Sequence, residues 1–177
     1  RRSRLSRPWT LTHFRHLYFD PLSVHMTTAI ATLQPASEPG MVAAMTFRFI
    51  HTADWQLGKP FANFPSDLAG ELAAARFAAI GRIAAAAKAH GARHVLVAGD
   101  VFDSDEPPAV LLRRALERMA EHTAVTWVLL PGNHDPHRRG GIWDRAVRIP
   151  LPENIVVAAT ATPLVLTERI VVLPAPL

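Results

Sequence analysis

The sequence contains no cysteine among its 177 residues. Disulfide bonds and thiolate metal sites are therefore excluded, and a metal ion must be held by oxygen or imidazole donors. A reducing cytoplasm fits this composition. The sequence also lacks a long apolar run, whereas a membrane span needs about 20 consecutive apolar residues. We therefore expect one soluble, cytoplasmic domain, or part of one, with no membrane association.

Acidic residues are scarce in the first 44 positions. This segment has five arginines but only Asp20 and Glu38 as acids, and it accounts for most of the formal net charge of +4. The rest of the chain is close to neutral. The overall charge is therefore no evidence for nucleic-acid binding, which must be argued from local patches.

Residues 1–44 also lack helical or strand periodicity. We expect this segment to be disordered or to be translated upstream sequence. A transit peptide is the alternative, because the segment is rich in arginine and poor in acids, but it has no clear amphipathic helix. We place the folded domain at residues 45–177.

From Met45 onward, short apolar runs alternate with longer helical patterns. The first helix is expected from a cap at Ser66 or Asp67 to Gly91, and the second from Pro107 and Pro108. This order predicts an α/β fold with a parallel sheet, since parallel neighbours need long crossover connections. The predicted strands are 47–51, 94–98 and 125–130, followed by short strands at 155–158, 163–166 and 170–173.

Polar residues follow each of the first three predicted strands directly. They are Asp54, Asp100 and the Asn133-His134-Asp135 run. Ligands of parallel sheets bind outside the carboxyl ends of the strands, so these groups should meet at one edge. Carboxylate and amide oxygens joined by histidines suit manganese, iron or zinc. One such residue alone would more simply cap a helix or a turn, but three successive strand ends favour a metal site.

The motifs resemble the calcineurin-like metallophosphoesterases, whose signature begins D-x-H, GD-x-x-D and GNH-D/E. Here the blocks read DWQ at 54–56, GDVFD at 99–103 and GNHD at 132–135. The runs HTADWQLG at 51–58 and GDVFDSDEPP at 99–108 are similar to the SbcD-type DNA repair exonucleases. The resemblance covers about residues 45–177.

The resemblance implies a layered β-sandwich flanked by helices (αββα). It further implies hydrolysis of DNA phosphodiester bonds with two divalent metal ions, manganese being favoured. The implied partners are DNA and an SMC-like ATPase of the SbcC type, with a homodimer also open. The metal ligands carried over from the family pattern are Asp54, Gln56, Asp100 and Asn133.

Among these ligands, Asp54 and Gln56 would hold the first ion, Asp100 would bridge the two ions and Asn133 would hold the second. The resemblance assigns catalysis to two further residues. His134 would contact the scissile phosphate and protonate the leaving oxygen, and Asp135 would orient its imidazole.

Two departures from the family pattern limit these expectations. Gln56 stands where the family has histidine, and an amide oxygen is a weaker donor to transition metals. Nothing after Asp135 resembles the later histidine and GH-x-H blocks, so we expect a domain truncated at its C-terminus and nearly inactive alone. Two other functions stay open. One is a phosphoesterase of the same fold that acts on phosphoproteins or small nucleotides, and the other is a non-catalytic binding module.

Five basic residues near the motifs allow two interpretations. They could track a DNA backbone or form a solvated surface. These residues are Lys59, Arg138, Arg139, Arg145 and Arg148.

Overall fold

The computed structural model describes residues 9–16, 27–35 and 46–177. Eight strands and three helices lie within these ranges. They are β1 (Trp9–His16), β2 (Thr27–Pro35), β3 (Phe47–Ala53), α1 (Ser66–Ala89), β4 (His94–Ala98), α2 (Ala109–Ala120), β5 (Thr126–Leu130), α3 (Ile142–Ala146), β6 (Ile155–Val157), β7 (Leu164–Thr167) and β8 (Ile170–Val172).

A six-stranded sheet forms the centre of the fold, in the order β1-β2-β3-β4-β5-β6. Strands β3 to β6 pair in parallel, whereas β1 and β2 are antiparallel additions beside β3. The register sets Thr52 opposite Val97 and Val97 opposite Leu129. The carboxyl ends of β3, β4 and β5 therefore lie level with one another, and the loops after them start at one edge. The predicted α/β class is confirmed.

The helices cover one face of this sheet. Val95, Val97 and Trp127 on that face belong to the same buried cluster as Ile83 of α1 and Met119 of α2. On the opposite face of β4, Leu96 is half-buried and Ala98 is exposed. The apolar cluster between helices and sheet is thus the main core, and it holds the strand ends in fixed positions.

The ends of α1 are set by backbone conformation and not by side-chain caps. Its N-cap is Pro65, which makes no side-chain cap hydrogen bond, so the predicted capping by Ser66 or Asp67 is wrong. Asp67 lies in the first turn, where its charge complements the helix dipole. Beyond the last turn, Gly91 adopts a φ of 65°, which glycine reaches at little cost and which confirms the predicted stop.

Strands β1 and β2 fall in the segment for which we expected no regular structure. That expectation is wrong for Trp9–His16 and Thr27–Pro35. Strand β2 pairs with β3 over residues 27–33, and Ile30 joins the core beside Ile50. The placement of the folded domain at residues 45–177, separate from residues 1–44, stays a prediction.

The last strands differ in part from the predicted short hairpin-like series. Strand β6 joins the main sheet parallel to β5, while β7 and β8 form a separate two-stranded antiparallel sheet. The short helix α3 was not predicted, since five residues give little periodic signal. No helix among the described residues is long and apolar enough to cross a membrane.

Candidate metal centre

The loop after β3 is held in an unusual backbone conformation. Asp54 and Gln56 have φ angles of 59° and 44°, in the left-handed region that residues with a Cβ rarely adopt. Trp55 between them is fully buried, and its Nε1 donates to Thr52 Oγ1 at 2.9 Å. Arg76 of α1 donates from Nη1 to the Trp55 carbonyl oxygen at 2.6 Å. The flanking side chains of Asp54 and Gln56 are thereby held at the half-exposed edge of the sheet.

Arg76 is a charged group in the apolar face of α1. It is 3% exposed, and its guanidinium lies 5.3 Å from the ring centroid of Phe61. Burial lowers the pKa of Arg76, and the negative charge of Asp103 opposes this shift. Arg76 therefore has a structural role in α1, because its side chain fixes the loop that carries Asp54 and Gln56.

The loop after β4 turns sharply and lies against the loop after β3. Gly99 and Asp100 have φ angles of 98° and 55°. Glycine reaches a φ of 98° at little cost, which permits the tight turn directly after β4. Backbone hydrogen bonds join the loops, among them those from Asp54 N to Gly99 O at 3.3 Å and from Gln56 N to Asp100 O at 2.8 Å.

Asp135 fastens the loop after β5 to the loop after β4. Its Oδ1 accepts from Gly132 N at 2.8 Å and from Asp100 N at 3.2 Å, and its Oδ2 accepts from Phe102 N at 3.0 Å. In the other direction, His134 N donates to Asp100 Oδ1 at 3.0 Å. The three strand-end loops therefore meet at one edge of the sheet, as the sequence predicts.

The Asp135 side chain is fully buried. Burial raises the pKa of this carboxyl from 3.8 to about 6, and the charge of Asp100 adds to the rise. The backbone N–H bonds from Phe102, Gly132 and Asp100 oppose it. Desolvation is the largest of these effects, so the net shift of the pKa is upward.

The backbone of Gly132 packs directly on Asp100. A Cβ at position 132 would lie 2.2 Å from Asp100 Oδ1 and 2.4 Å from Asp100 N. Both distances are below van der Waals contact, so only glycine fits here without movement. The glycine of the GNHD block therefore sets how closely the loops after β4 and β5 approach.

The surroundings of His134 differ from the predicted ones. Its side chain is exposed, and Nδ1 lies 3.2 Å from the carbonyl oxygen of Asp103 and 3.9 Å from Asp103 Oδ1. A carbonyl oxygen can only accept, so Nδ1 carries the proton in this contact and Nε2 is left for other partners. Asp103, rather than Asp135, lies against the imidazole, because the Asp135 carboxylate is bonded to backbone amides. The catalytic roles of His134 and Asp135 stay predictions.

Gln56 has a partner that the sequence analysis missed. Lys59 Nζ donates to Gln56 Oε1 at 2.7 Å, and it lies 4.0 Å from Asp103 Oδ1. Lys59 N also donates to Gln56 O at 3.1 Å, which closes a turn. The spacing of three residues between Gln56 and Lys59 is the signal in the sequence that could have indicated this contact. We call Gln56, Lys59, Asp103 and His134 the Lys59 cluster.

The donor set for metal ions consists mainly of oxygen atoms. Asp54 and Gln56 are half-exposed, Asp100 is 7% exposed, and Asn133 is exposed. Across residues 9–16, 27–35 and 46–177, no group of three or more His, Asp or Glu side chains is arranged to hold an ion. Asp100 and Asn133 fit an oxygen-coordinated ion by donor type, whereas the Gln56 oxygen is already bonded to a lysine. The assignment of these four ligands stays a prediction.

Most of the basic residues near the motifs already have protein partners. Arg138 pairs with Asp105, and Arg148 pairs with Asp144 at 3.0 Å. Arg145 donates to a backbone carbonyl at 3.1 Å. These contacts favour a solvated surface over a DNA-tracking patch.

A cleft of about 310 Å³ opens beside the Lys59 cluster. Its wall combines apolar side chains with two carboxylates. The lining residues are Leu57, Gly58, Asp103, Ser104, Glu106, Pro107, Pro108, Val110 and Leu111. A substrate group bound there would lie next to Asp103.

Comparison with known proteins gives two related matches. The chain is 33% identical over 91 residues to the SbcD subunit of the nuclease SbcCD from Escherichia coli strain K12, and equally to that from Escherichia coli O157:H7. The match covers 50% of this chain and 21% of those proteins. The chain thus spans only a minor part of the length of these relatives.

A sequence model described as calcineurin-like phosphoesterase matches residues 47–172, which is well over half of the chain. The matched range contains all three strand-end loops and the central strands β3 to β6. Members of this family use divalent metal ions, which agrees with the oxygen donors at the sheet edge. The chain belongs to the calcineurin-like phosphoesterase family.

Proposed function

We propose that the protein hydrolyses phosphodiester bonds in DNA with the help of divalent metal ions, as a repair exonuclease of the SbcD type. The observation that carries this proposal is the junction of the three strand-end loops, in which Asp54, Asp100 and Asn133 start from one edge of the sheet and Asp135 joins two of the loops. The name of the matched relatives supports the choice of DNA as substrate.

The chain supplies specific groups for this chemistry. Asp100 and Asn133 would hold a divalent ion, and manganese is the ion that we favour. Divalent ions in such a centre polarise the phosphate and make water reactive at neutral pH. His134 presents Nε2 at an exposed position, from which a protonated imidazole can give its proton to the leaving oxygen. The resemblance to the family implies two ions per centre, and the contact between Lys59 and Gln56 bears on the first of them.

The matched relatives also suggest which other proteins this protein assembles with. The matched relatives are named as one subunit of a nuclease called SbcCD, and we propose a corresponding ATPase partner of the SbcC type for this protein. A homodimer and a cytoplasmic location remain part of the proposal. We also expect the 177 residues alone to be nearly inactive, because nothing after Asp135 resembles the later histidine and GH-x-H blocks of the family.

The test compares duplex DNA with a small phosphodiester, bis(p-nitrophenyl) phosphate, in manganese. We expect hydrolysis of DNA to fall more between about 50 and 200 mM salt than hydrolysis of the small diester, because DNA binding releases counterions. Asp100→Asn should abolish turnover of both substrates. Asp67→Asn, an acid of the same type in the first turn of α1, is the matched control and should leave turnover unchanged.

Two results would replace this proposal by one of its rivals. Turnover of phosphoproteins or small nucleotides without any turnover of DNA would indicate a phosphoesterase of another substrate class. Salt-sensitive binding of DNA with turnover that does not exceed that of Asp100→Asn, in manganese, iron or zinc, would indicate a non-catalytic binding module.

A further inference from the structure

In the Lys59 cluster, a cationic side chain lies beside Gln56, the position at which the family pattern has a metal-binding histidine. Lys59 Nζ lies 2.7 Å from Gln56 Oε1, the oxygen through which Gln56 would bind the first ion. An amide oxygen is a weak donor to transition metals. A divalent ion on the same oxygen would also meet the positive charge of the ammonium at close range. Both effects disfavour an ion at this position.

The lysine is built into the loop. Its own backbone N–H donates to Gln56 O at 3.1 Å, so the turn from 56 to 59 is closed by the backbone and again by the side chain. Asp103 supports the ammonium from the neighbouring loop, with Oδ1 at 4.0 Å from Nζ. Asp103 N in turn donates to Leu57 O at 3.1 Å, which holds the two loops in register.

The cation remains reachable from solvent. The side chain of Lys59 is 37% exposed, whereas that of Asp103 is 21% exposed. An ammonium group has three N–H donors, and one of them is committed to Gln56. The remaining donors can reach Asp103 and an oxygen of a bound phosphate. His134 Nδ1 lies 3.9 Å from the same Asp103 Oδ1, so the imidazole and the ammonium both lie beside this carboxylate.

We propose that the Lys59 ammonium takes the place of the ion at the Asp54–Gln56 position, so that the centre holds one divalent ion and Lys59 itself contacts a phosphate oxygen of the substrate. The single ion is held on the Asp100–Asn133 side. The lysine supplies a fixed positive charge at the other side, which needs no metal supply and compensates the substrate phosphate. This inference rests on the proposed phosphodiesterase function.

The first experiment counts manganese ions per chain by equilibrium dialysis and by electron paramagnetic resonance of free Mn²⁺. We expect one tightly bound ion in the wild type. The double variant Gln56→His, Lys59→Met restores the imidazole and removes the cation, and it should bind a second ion. Binding of two ions by the wild type would overturn the inference.

The second experiment tests the phosphate contact. Lys59→Met should weaken inhibition by inorganic phosphate and raise KM by about tenfold or more, because a hydrogen bond to a charged group is lost. The ion count of this variant should not fall. Lys88→Met, at the exposed end of α1, is the matched control and should change neither value. An unchanged phosphate inhibition in Lys59→Met would overturn the contact.

The two proposals fail in different ways. If the protein binds no divalent ion and hydrolyses no phosphodiester, the proposed function fails. If it hydrolyses phosphodiesters with two bound ions per chain, the proposed function stands and the role of Lys59 is refuted.

Discussion

The buried carboxyl of Asp135 makes the stability of the protein depend on pH in a predictable direction. Its pKa is raised from 3.8 to about 6, mainly by burial. The folded protein therefore keeps this proton to higher pH than the unfolded chain. The protonated Asp135 carboxyl makes its full contribution to the free energy of unfolding below about pH 4. This contribution is lost as the pH rises through about 6. A shift of this size corresponds to about 3 kcal/mol.

Replacement by asparagine isolates this effect. Asp135→Asn keeps an acceptor for Gly132 N and Asp100 N, but its amide nitrogen faces Phe102 N, so we expect a lost hydrogen bond worth about 1–3 kcal/mol at every pH. The variant has no charge to bury. Its free energy of unfolding, relative to wild type, should therefore rise by about 2–3 kcal/mol between pH 4 and pH 7.

The assay is urea unfolding without divalent ions, followed by the fluorescence of the buried residues Trp127 and Trp143. Asp144→Asn is the control, because a hydrogen bond from Gly140 N lowers the pKa of Asp144, and the effect of a lowered pKa on stability is lost only as the pH falls below about 4. Its stability relative to wild type should therefore stay nearly constant between pH 4 and pH 7. A difference between Asp135→Asn and wild type that does not change with pH, or that falls as the pH rises, would refute the reasoning.

Two further substitutions test how the loops are held. Arg76→Met removes the donor to the Trp55 carbonyl oxygen, and leaving that buried oxygen unpaired should cost about 1–3 kcal/mol of unfolding free energy in urea; equal stability of Arg76→Met and wild type would contradict the role of the arginine. Gly132→Ala introduces a Cβ that would lie 2.2 Å from Asp100 Oδ1, so the carboxylate must move and manganese affinity, measured by calorimetry, should drop by about tenfold or more. Wild-type affinity in this variant would show that Asp100 is no ligand.

The central strands and the meeting of the loops were predictable because their signals are local. Each of β3, β4 and β5 is a short apolar run followed at once by a polar motif, and the topology of parallel sheets brings such ends together. The turn at Gly99 was equally predictable, since glycine before Asp100 permits a positive φ.

Other features depend on tertiary contacts. Strand β2 is built largely from threonine and alanine, so its sequence shows only a weak apolar pattern. Its place in the fold comes from pairing with β3, and Ala29 and Ile30 are buried there. Asp135 stands next to His134 in sequence, yet its carboxylate turns inward to backbone amides from a different loop. Sequence spacing says which residues are neighbours in the chain, but the folded loops decide which groups each carboxylate contacts.

The central claim is that the strand-end loops meet around a divalent ion. Nuclear magnetic resonance of the ¹⁵N-labelled protein during a manganese titration tests it directly, because the paramagnetic ion broadens the signals of nearby amides. At substoichiometric manganese, the amide signals of Asp54, Asp100 and Asn133 should broaden together and before all others. Broadening confined to one loop, or found elsewhere while these three signals stay sharp, would contradict the claim.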